Sequence, residues 1–289
     1  MTEAAALDIL LKEDGLILAP GAYDALSARI ARQAGAKAVY LSGFSVAGSA
    51  LGLPDIGLMS AAEMTERVRA MAEAAGPAPL IADGDNGHGG PLQTARLTAA
   101  YEQAGAAGIQ LEDQALPKRC GHMENKEVIG KEAAAAKIRA AVEARRSPAF
   151  KIIARTDARA PLGLDEALRR GEAFLEAGAD ILFIEAPQSL EEMEKIAATF
   201  KGAALTANMV EDGKTPYLDT GTLEAMGYKL ALFPVSALLS AARLLENVYG
   251  GLLKEGRLPE TQERVTFQRY NEIVGLPEML ADAAKFKTE

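Results

Sequence analysis

Eight short apolar runs punctuate the chain: Leu16–Pro20, Ala38–Ser42, Leu80–Asp83, Ile109–Glu112, Lys151–Ala154, Ile181–Glu185, Ala204–Ala207 and Leu230–Pro234. Most are continuous rather than alternating, which is the pattern of parallel strands covered on both faces. Between them lie stretches with helical spacing, among them Ala61–Ala75, Leu92–Gln103, Lys131–Ala144, Leu164–Glu176 and Ala237–Leu253. Three junctions share one motif, Gln33-Ala34-Gly35-Ala36, Gln103-Ala104-Gly105-Ala106 and Glu176-Ala177-Gly178-Ala179, with Ala225-Met226-Gly227-Tyr228 as a looser fourth. Each reads as a helix stopped by glycine just ahead of a buried strand. Eight strands alternating with helices predict an α/β protein, a (β/α)8 barrel, with a doubly wound sheet as the other arrangement of the same pattern. After Leu258 helical spacing resumes in Glu260–Val274 and Pro277–Lys285, which a barrel does not need. No linker or low-complexity segment interrupts the chain. One barrel domain is therefore expected over 1–289, with 259–289 as a helical tail suited to a lid, to packing or to an oligomer contact.

Composition narrows the partners. The 289 residues carry 31 Lys+Arg against 40 Asp+Glu, a net charge of -9, with no basic cluster of the kind that tracks nucleic acid. The apolar runs are far shorter than the roughly 18 residues of a membrane helix. Met1 to Lys12 has acids and no basic start, so no signal peptide is expected. Cys120 is the one cysteine, which excludes an internal disulfide and fits a reducing, cytoplasmic setting. Two histidines and no tryptophan exclude a histidine-rich zinc site.

Candidate chemistry falls at the ends of the strands, where a barrel carries its active site. The runs end in Ser42-Gly43-Phe44, Asp83-Gly84-Asp85, Glu112-Asp113-Gln114, Arg155-Thr156-Asp157, Glu185-Ala186-Pro187, Asn208 and Pro234-Val235-Ser236. Asp83, Asp85 and Glu112 at neighbouring ends make an oxygen-rich site for Mg²⁺, or Mn²⁺ in its place, the plainer alternative being that an aspartate caps a turn. The long connection from Gln114 to Gly130 holds Lys118-Arg119-Cys120-Gly121-His122. Cations beside a thiol favour the thiolate, which would make Cys120 an acid or base rather than an inert core residue. Arg155 at the end of an apolar strand needs a partner, either a substrate carboxylate or Glu185.

These strings, with Tyr40-Leu41-Ser42-Gly43, Gly52-Leu53-Pro54-Asp55 and Ala154-Arg155-Thr156-Asp157-Ala158, resemble the isocitrate lyase/phosphoenolpyruvate mutase superfamily over nearly the whole chain. The Lys-Arg-Cys-Gly-His string resembles its carbon–carbon lyase branch. Gly89-Gly90-Pro91-Leu92 and the segment from Asn208 to Pro216 resemble the (2R)-alkylmalate lyases, the petal death protein and 2,3-dimethylmalate lyases. The 2-methylisocitrate lyases are similar but have threonine where this chain has Val210.

The resemblance implies a barrel, a helix-swapped homotetramer, and a small dicarboxylate or tricarboxylate substrate. It implies Mg²⁺ on Asp85 and, mainly through water, on Asp83 and Glu112, with Asp55 further out. Ser42, Gly43 and Phe44 would donate to the substrate carboxylate. Arg155, steadied by Glu185, would bind the oxygen that becomes the product carbonyl. Cys120, flanked by Lys118 and Arg119, would protonate the departing fragment. Gly121, His122 and Asn208 would hold the second carboxylate, and Glu211 would latch the loop. Tyr40 and a water on the metal are the two candidates for taking the hydroxyl proton. Two other activities share these motifs: 2-methylisocitrate lyase, and oxaloacetate acetylhydrolase with Ser236 on a hydrated ketone. A barrel that binds metal and dicarboxylate without turnover is the non-enzymatic alternative.

Overall fold

A computed structural model describes residues 2–119, 121 and 125–286. The chain begins with α1 (Glu3–Lys12), β1 (Ile17–Ala22), α2 (Ala25–Gln33), β2 (Val39–Leu41), α3 (Gly43–Leu51), α4 (Ala61–Ala75) and β3 (Leu80–Asp83). It continues through α5 (Pro91–Gln103), β4 (Gly108–Glu112), α6 (Lys131–Ala144), β5 (Lys151–Thr156), α7 (Arg159–Leu162), α8 (Leu164–Glu176) and β6 (Ile181–Ile184). It ends with α9 (Leu190–Thr199), β7 (Ala204–Asn208), α10 (Thr220–Met226), β8 (Leu230–Phe233), α11 (Ser236–Glu255), α12 (Phe267–Ile273) and α13 (Leu276–Ala284). The eight strands are parallel and close on themselves in chain order, β8 pairing with β1. This is the (β/α)8 barrel that the apolar runs predict, and no doubly wound sheet forms.

The repeated glycine motif explains the rhythm. Gly35, Gly105, Gly178 and Gly227 all have φ between 94° and 98°, a left-handed turn that a side chain would strain. Each turn ends a helix and sends the chain back into the sheet. Continuous runs such as Leu80–Asp83 and Gly108–Glu112 are buried at every position, as a sheet covered on one side by helices and on the other by the barrel interior requires.

Below the strand starts, α1 seals the barrel. Its Leu7 is fully buried, and Leu10 and Leu11 pack on the interior cluster of Ile17, Tyr40, Ile81, Ile153, Ile181, Phe183, Leu230 and Leu232. Asp8 anchors the helix to Lys151 at the start of β5, at 2.6 Å.

Two compact units are present, Met1–Ala237 and Leu238–Glu289. The first holds the barrel. The second holds most of α11 together with α12 and α13, so the tail expected from residue 259 is its later part. On α11, Leu245, Tyr249 and Leu252 form an exposed apolar stripe at helical spacing.

Candidate active site

Parallel register brings the polar strand ends into one mouth. Asp83 at the end of β3 lies opposite Gln110 of β4, and Glu112 lies opposite Arg155 of β5. Side chains two apart on a strand share a face. Gln110 and Glu112 therefore both look inward, as do Arg155 and Asp157.

Three acids surround one buried ammonium. Lys118 places its Nζ 2.5 Å from Asp85 and 2.7 Å from Asp55. Asp83 sits beside them, accepting from the backbone N–H of Gly43 at 3.2 Å and of Asp85 at 3.0 Å. A side chain at position 43 would come within 2.8 Å of the Asp83 carboxylate, so glycine is what allows α3 to start there. Burial, then the charge of Asp85, pushes Asp83 up to about 6. Burial also raises Glu112 well above the usual range, and one of its oxygens, Oε1, is buried with no partner. Lys118 is pulled down by burial, but Asp85, Glu112, Asp55 and Asp83 together carry it upward.

Arg155 is the centre of the second half. It donates to Asp157 through Nε at 2.9 Å and Nη2 at 3.0 Å, and it lies 3.5 Å from both Glu112 and Glu185. Its guanidinium stacks over Phe183, 5.2 Å from the ring centre. The sequence offers a substrate carboxylate or Glu185 as its partner; Glu185 is near, and the tighter, two-point partner is Asp157. The i, i+2 spacing on β5 is the signal that could have found it. Burial works against ionised Asp157, but Arg155 and Lys126 outweigh it and hold the carboxyl far below its ordinary value. Glu185 also accepts from Asn208 Nδ2, at 3.3 and 3.4 Å, while Asn208 Oδ1 is buried without a partner.

Tyr40 donates to Gln110 at 3.2 Å from below the acids, and burial keeps its phenol protonated well above the ordinary range. Ser42 is buried and caps α3 by accepting from Ser45 N–H, and Phe44 is half-buried. His88 Nε2 is buried without a hydrogen-bond partner, 4.0 Å from Asp85, and burial lowers its pKa.

The connection after β4 is pinned at its base. Gln114 and Val128 form an antiparallel bridge, and the Gln114 side chain holds the backbone N–H and C=O of Arg119, both at 2.8 Å. Lys118 points into the site while Arg119 is exposed. Cys120 and His122 lie outside the described residues. The Lys118 ammonium that the sequence reading set beside the thiol is engaged by Asp55 and Asp85. At the ends of β7 and β8, Ser236 donates to Glu211, and Tyr217 donates to the same oxygen at 3.4 Å. Val210 is half-buried beside them in the chain.

Such a mouth can hold a cation on its acids and an anion on its arginine, side by side. The chain as a whole is similar to known proteins. The phosphoenolpyruvate phosphomutase family model matches residues 7–252. The chain belongs to the phosphoenolpyruvate mutase/isocitrate lyase superfamily. It is 44% identical to the 2,3-dimethylmalate lyase of Eubacterium barkeri, over 96% of this chain and 95% of that one. It is 41% identical to the petal death protein of Dianthus caryophyllus, over 96% of this chain and 87% of that one. In structure it superposes on an oxaloacetate acetylhydrolase in complex with 3,3-difluorooxalacetate, with a TM-score of 0.95, 35% identity, and coverage of 100% and 99%. Within the superfamily the chain is a lyase.

Proposed function

We propose that this lyase cleaves the C2–C3 bond of a (2R)-alkylmalate such as 2,3-dimethylmalate, giving pyruvate and propionate, with Mg²⁺ as cofactor. The carrying observation is the unpartnered, buried Glu112 oxygen set between the Asp83/Asp85 pair and Arg155.

The donor set suits a hard cation. Asp83, Asp85 and Glu112 offer only oxygens; burial raises Asp83 and Glu112, with the charge of Asp85 adding to it at Asp83, and the Lys118 ammonium already lies against Asp85 and Asp55. Among the described residues no three His, Cys, Asp or Glu side chains converge closely enough to ligate one ion directly. Oxygen donors of this kind suit Mg²⁺, which keeps several of its waters. Asp85 would hold it, with Asp83, Glu112 and Asp55 acting through water. When bound, the ion supplies Lewis-acid polarisation of the 2-hydroxy acid end of the substrate.

The rest belongs to the chain. Arg155, fixed in orientation by Asp157, binds the C2 oxygen and stabilises the charge it gathers as the C2–C3 bond breaks. The start of α3, whose Gly43 N–H is taken by Asp83, turns its remaining N-terminal donors to the substrate carboxylate. Asn208 and Gly121 bracket the second carboxylate. Cys120 returns a proton to the departing carbanion carbon, completing propionate. Val210 provides an apolar wall without the hydroxyl that a third carboxylate would use. Ser236 is already engaged by Glu211, which favours the lyase reading over hydrolysis of a hydrated ketone.

The test is pyruvate release with Mg²⁺, read through lactate dehydrogenase, over (2R)-alkylmalates, 2,3-dimethylmalate and 2-methylisocitrate, with oxalate from oxaloacetate measured in parallel. Fastest turnover of an alkylmalate is expected. Preference for 2-methylisocitrate, with succinate as co-product, or for oxaloacetate, would replace this reading.

A further inference from the structure

Lys126 has no part in the chemistry above, yet its ammonium is buried in the wall of the site. The side chain is only 1% exposed, and among the described residues Nζ contacts Asp157 Oδ1 at 2.8 Å and the carbonyl oxygen of Gly121. Both partners touch the reaction centre. Asp157 is the two-point clamp of Arg155. Gly121 lies so close to Arg155 and Glu185 that a Cβ there would sit 2.8 Å from the Glu185 carboxyl carbon. Gly121 is thus gripped from two sides, its carbonyl by Lys126 and its Cα by the Arg155–Glu185 pair.

We propose that Lys126 is a positioning residue for the lyase reaction: it fastens the segment around Gly121 to the substrate-binding arginine through Asp157. The inference rests on the lyase reading of the site. One cation thereby holds both Asp157, which orients Arg155, and the carbonyl of Gly121. A buried ion pair is a poor way to fill space, because a matched apolar side chain usually does so at no loss of stability. Lys126 bonds a backbone carbonyl of the segment as well as the carboxylate, and methionine can reproduce neither contact.

The experiment compares Lys126→Met and Lys126→Arg with the wild type, on whichever malate the wild type turns over fastest. Lys126→Met should lower kcat by about 10- to 100-fold, the scale on which misplaced groups slow a reaction, while KM changes by less than about threefold. Lys126→Arg, which keeps the charge and the donors, should return kcat to within about threefold of wild type. If Lys126→Met does not fold, Lys126→Gln, which retains a donor for Gly121, takes its place. A folded neutral variant with wild-type kcat, or one whose whole defect lies in KM, overturns the proposal.

A second readout needs no substrate. An arginine-specific protease cuts after the exposed Arg119 at a rate that follows the population in which the Arg119 backbone has left Gln114. Cleavage there should be at least about fivefold faster in Lys126→Met than in wild type, because one of the two grips on Gly121 is gone. Equal rates would overturn the proposal. If the wild type cleaves no malate, the substrate reading fails, and the protease arm still decides whether Lys126 fastens the segment.

Discussion

A single side chain can decide which acid this site accepts. Val210 follows Asn208 and Met209 at the end of β7, half-buried, where the resemblance implies threonine in the 2-methylisocitrate lyases. Valine and threonine have nearly the same shape, so the difference between them is a hydroxyl. A site built to bond a substrate group discriminates by more than one that merely leaves room for it. We expect Val210→Thr to raise the kcat/KM ratio for 2-methylisocitrate over 2,3-dimethylmalate by about 10-fold or more, a change of roughly 1–3 kcal/mol. Parallel progress curves on the two substrates measure it, and an unchanged ratio would place selectivity elsewhere. The same scale shows what sequence reading could and could not reach. Asp157 lay within reach, since strand alternation puts it on the face of Arg155. Lys126 did not: a lysine in a polar connection carries no periodic signal, and only the fold turns it inward to Asp157 and Gly121.

At the scale of elements, the apolar runs identified the strands within a residue or two, because burial on both faces leaves an unmistakable mark. Helices with a polar face, such as Ala61–Ala75 and Lys131–Ala144, were equally legible. Gly43–Leu51 was not: its GFSVAGSAL run is small and apolar, much of it buried, so nothing in it alternates. It reads as the end of a strand and is in fact a helix whose start faces the acids. On α11, the stripe of Leu245, Tyr249 and Leu252 is 46%, 59% and 38% exposed. We expect native mass spectrometry to show four copies, the assembly implied by the resemblance, and Leu245→Glu combined with Leu252→Glu to reduce that number. A wild-type monomer would mean that the stripe is simply tolerated in water.

The whole molecule registers the crowding of its acids as a pH dependence. Burial and the charge of Asp85 push Asp83 up to about 6 in the folded protein, above the ordinary 3.8 of an aspartate. For an acid whose pKa rises on folding, the folded state binds its proton more tightly. The associated stability is fully present below about pH 4 and is lost as pH rises through about 6. Asp83→Asn cannot titrate there. With a chelator present, the melting temperature of this variant should therefore gain on that of the wild type between pH 5 and 7. A constant difference across that range would show that Asp83 is ionised throughout.

The sealed floor of the barrel has a consequence of its own. Beneath Tyr40 and Gln110 the interior is filled by Ile17, Ile81, Ile153, Ile181, Leu230 and Leu232, and α1 closes the base. Protons therefore have only the upper opening as a route to bulk solvent. Carbon–carbon cleavage of a hydroxy acid frees one proton and consumes one, so net exchange with solvent is not needed. A vessel stoppered at the bottom can hand the same proton from one fragment to the other. When the enzyme–substrate complex is formed in ordinary water and diluted into deuterated water within one turnover, the propionate released would then carry less than a full deuterium at its new C–H bond.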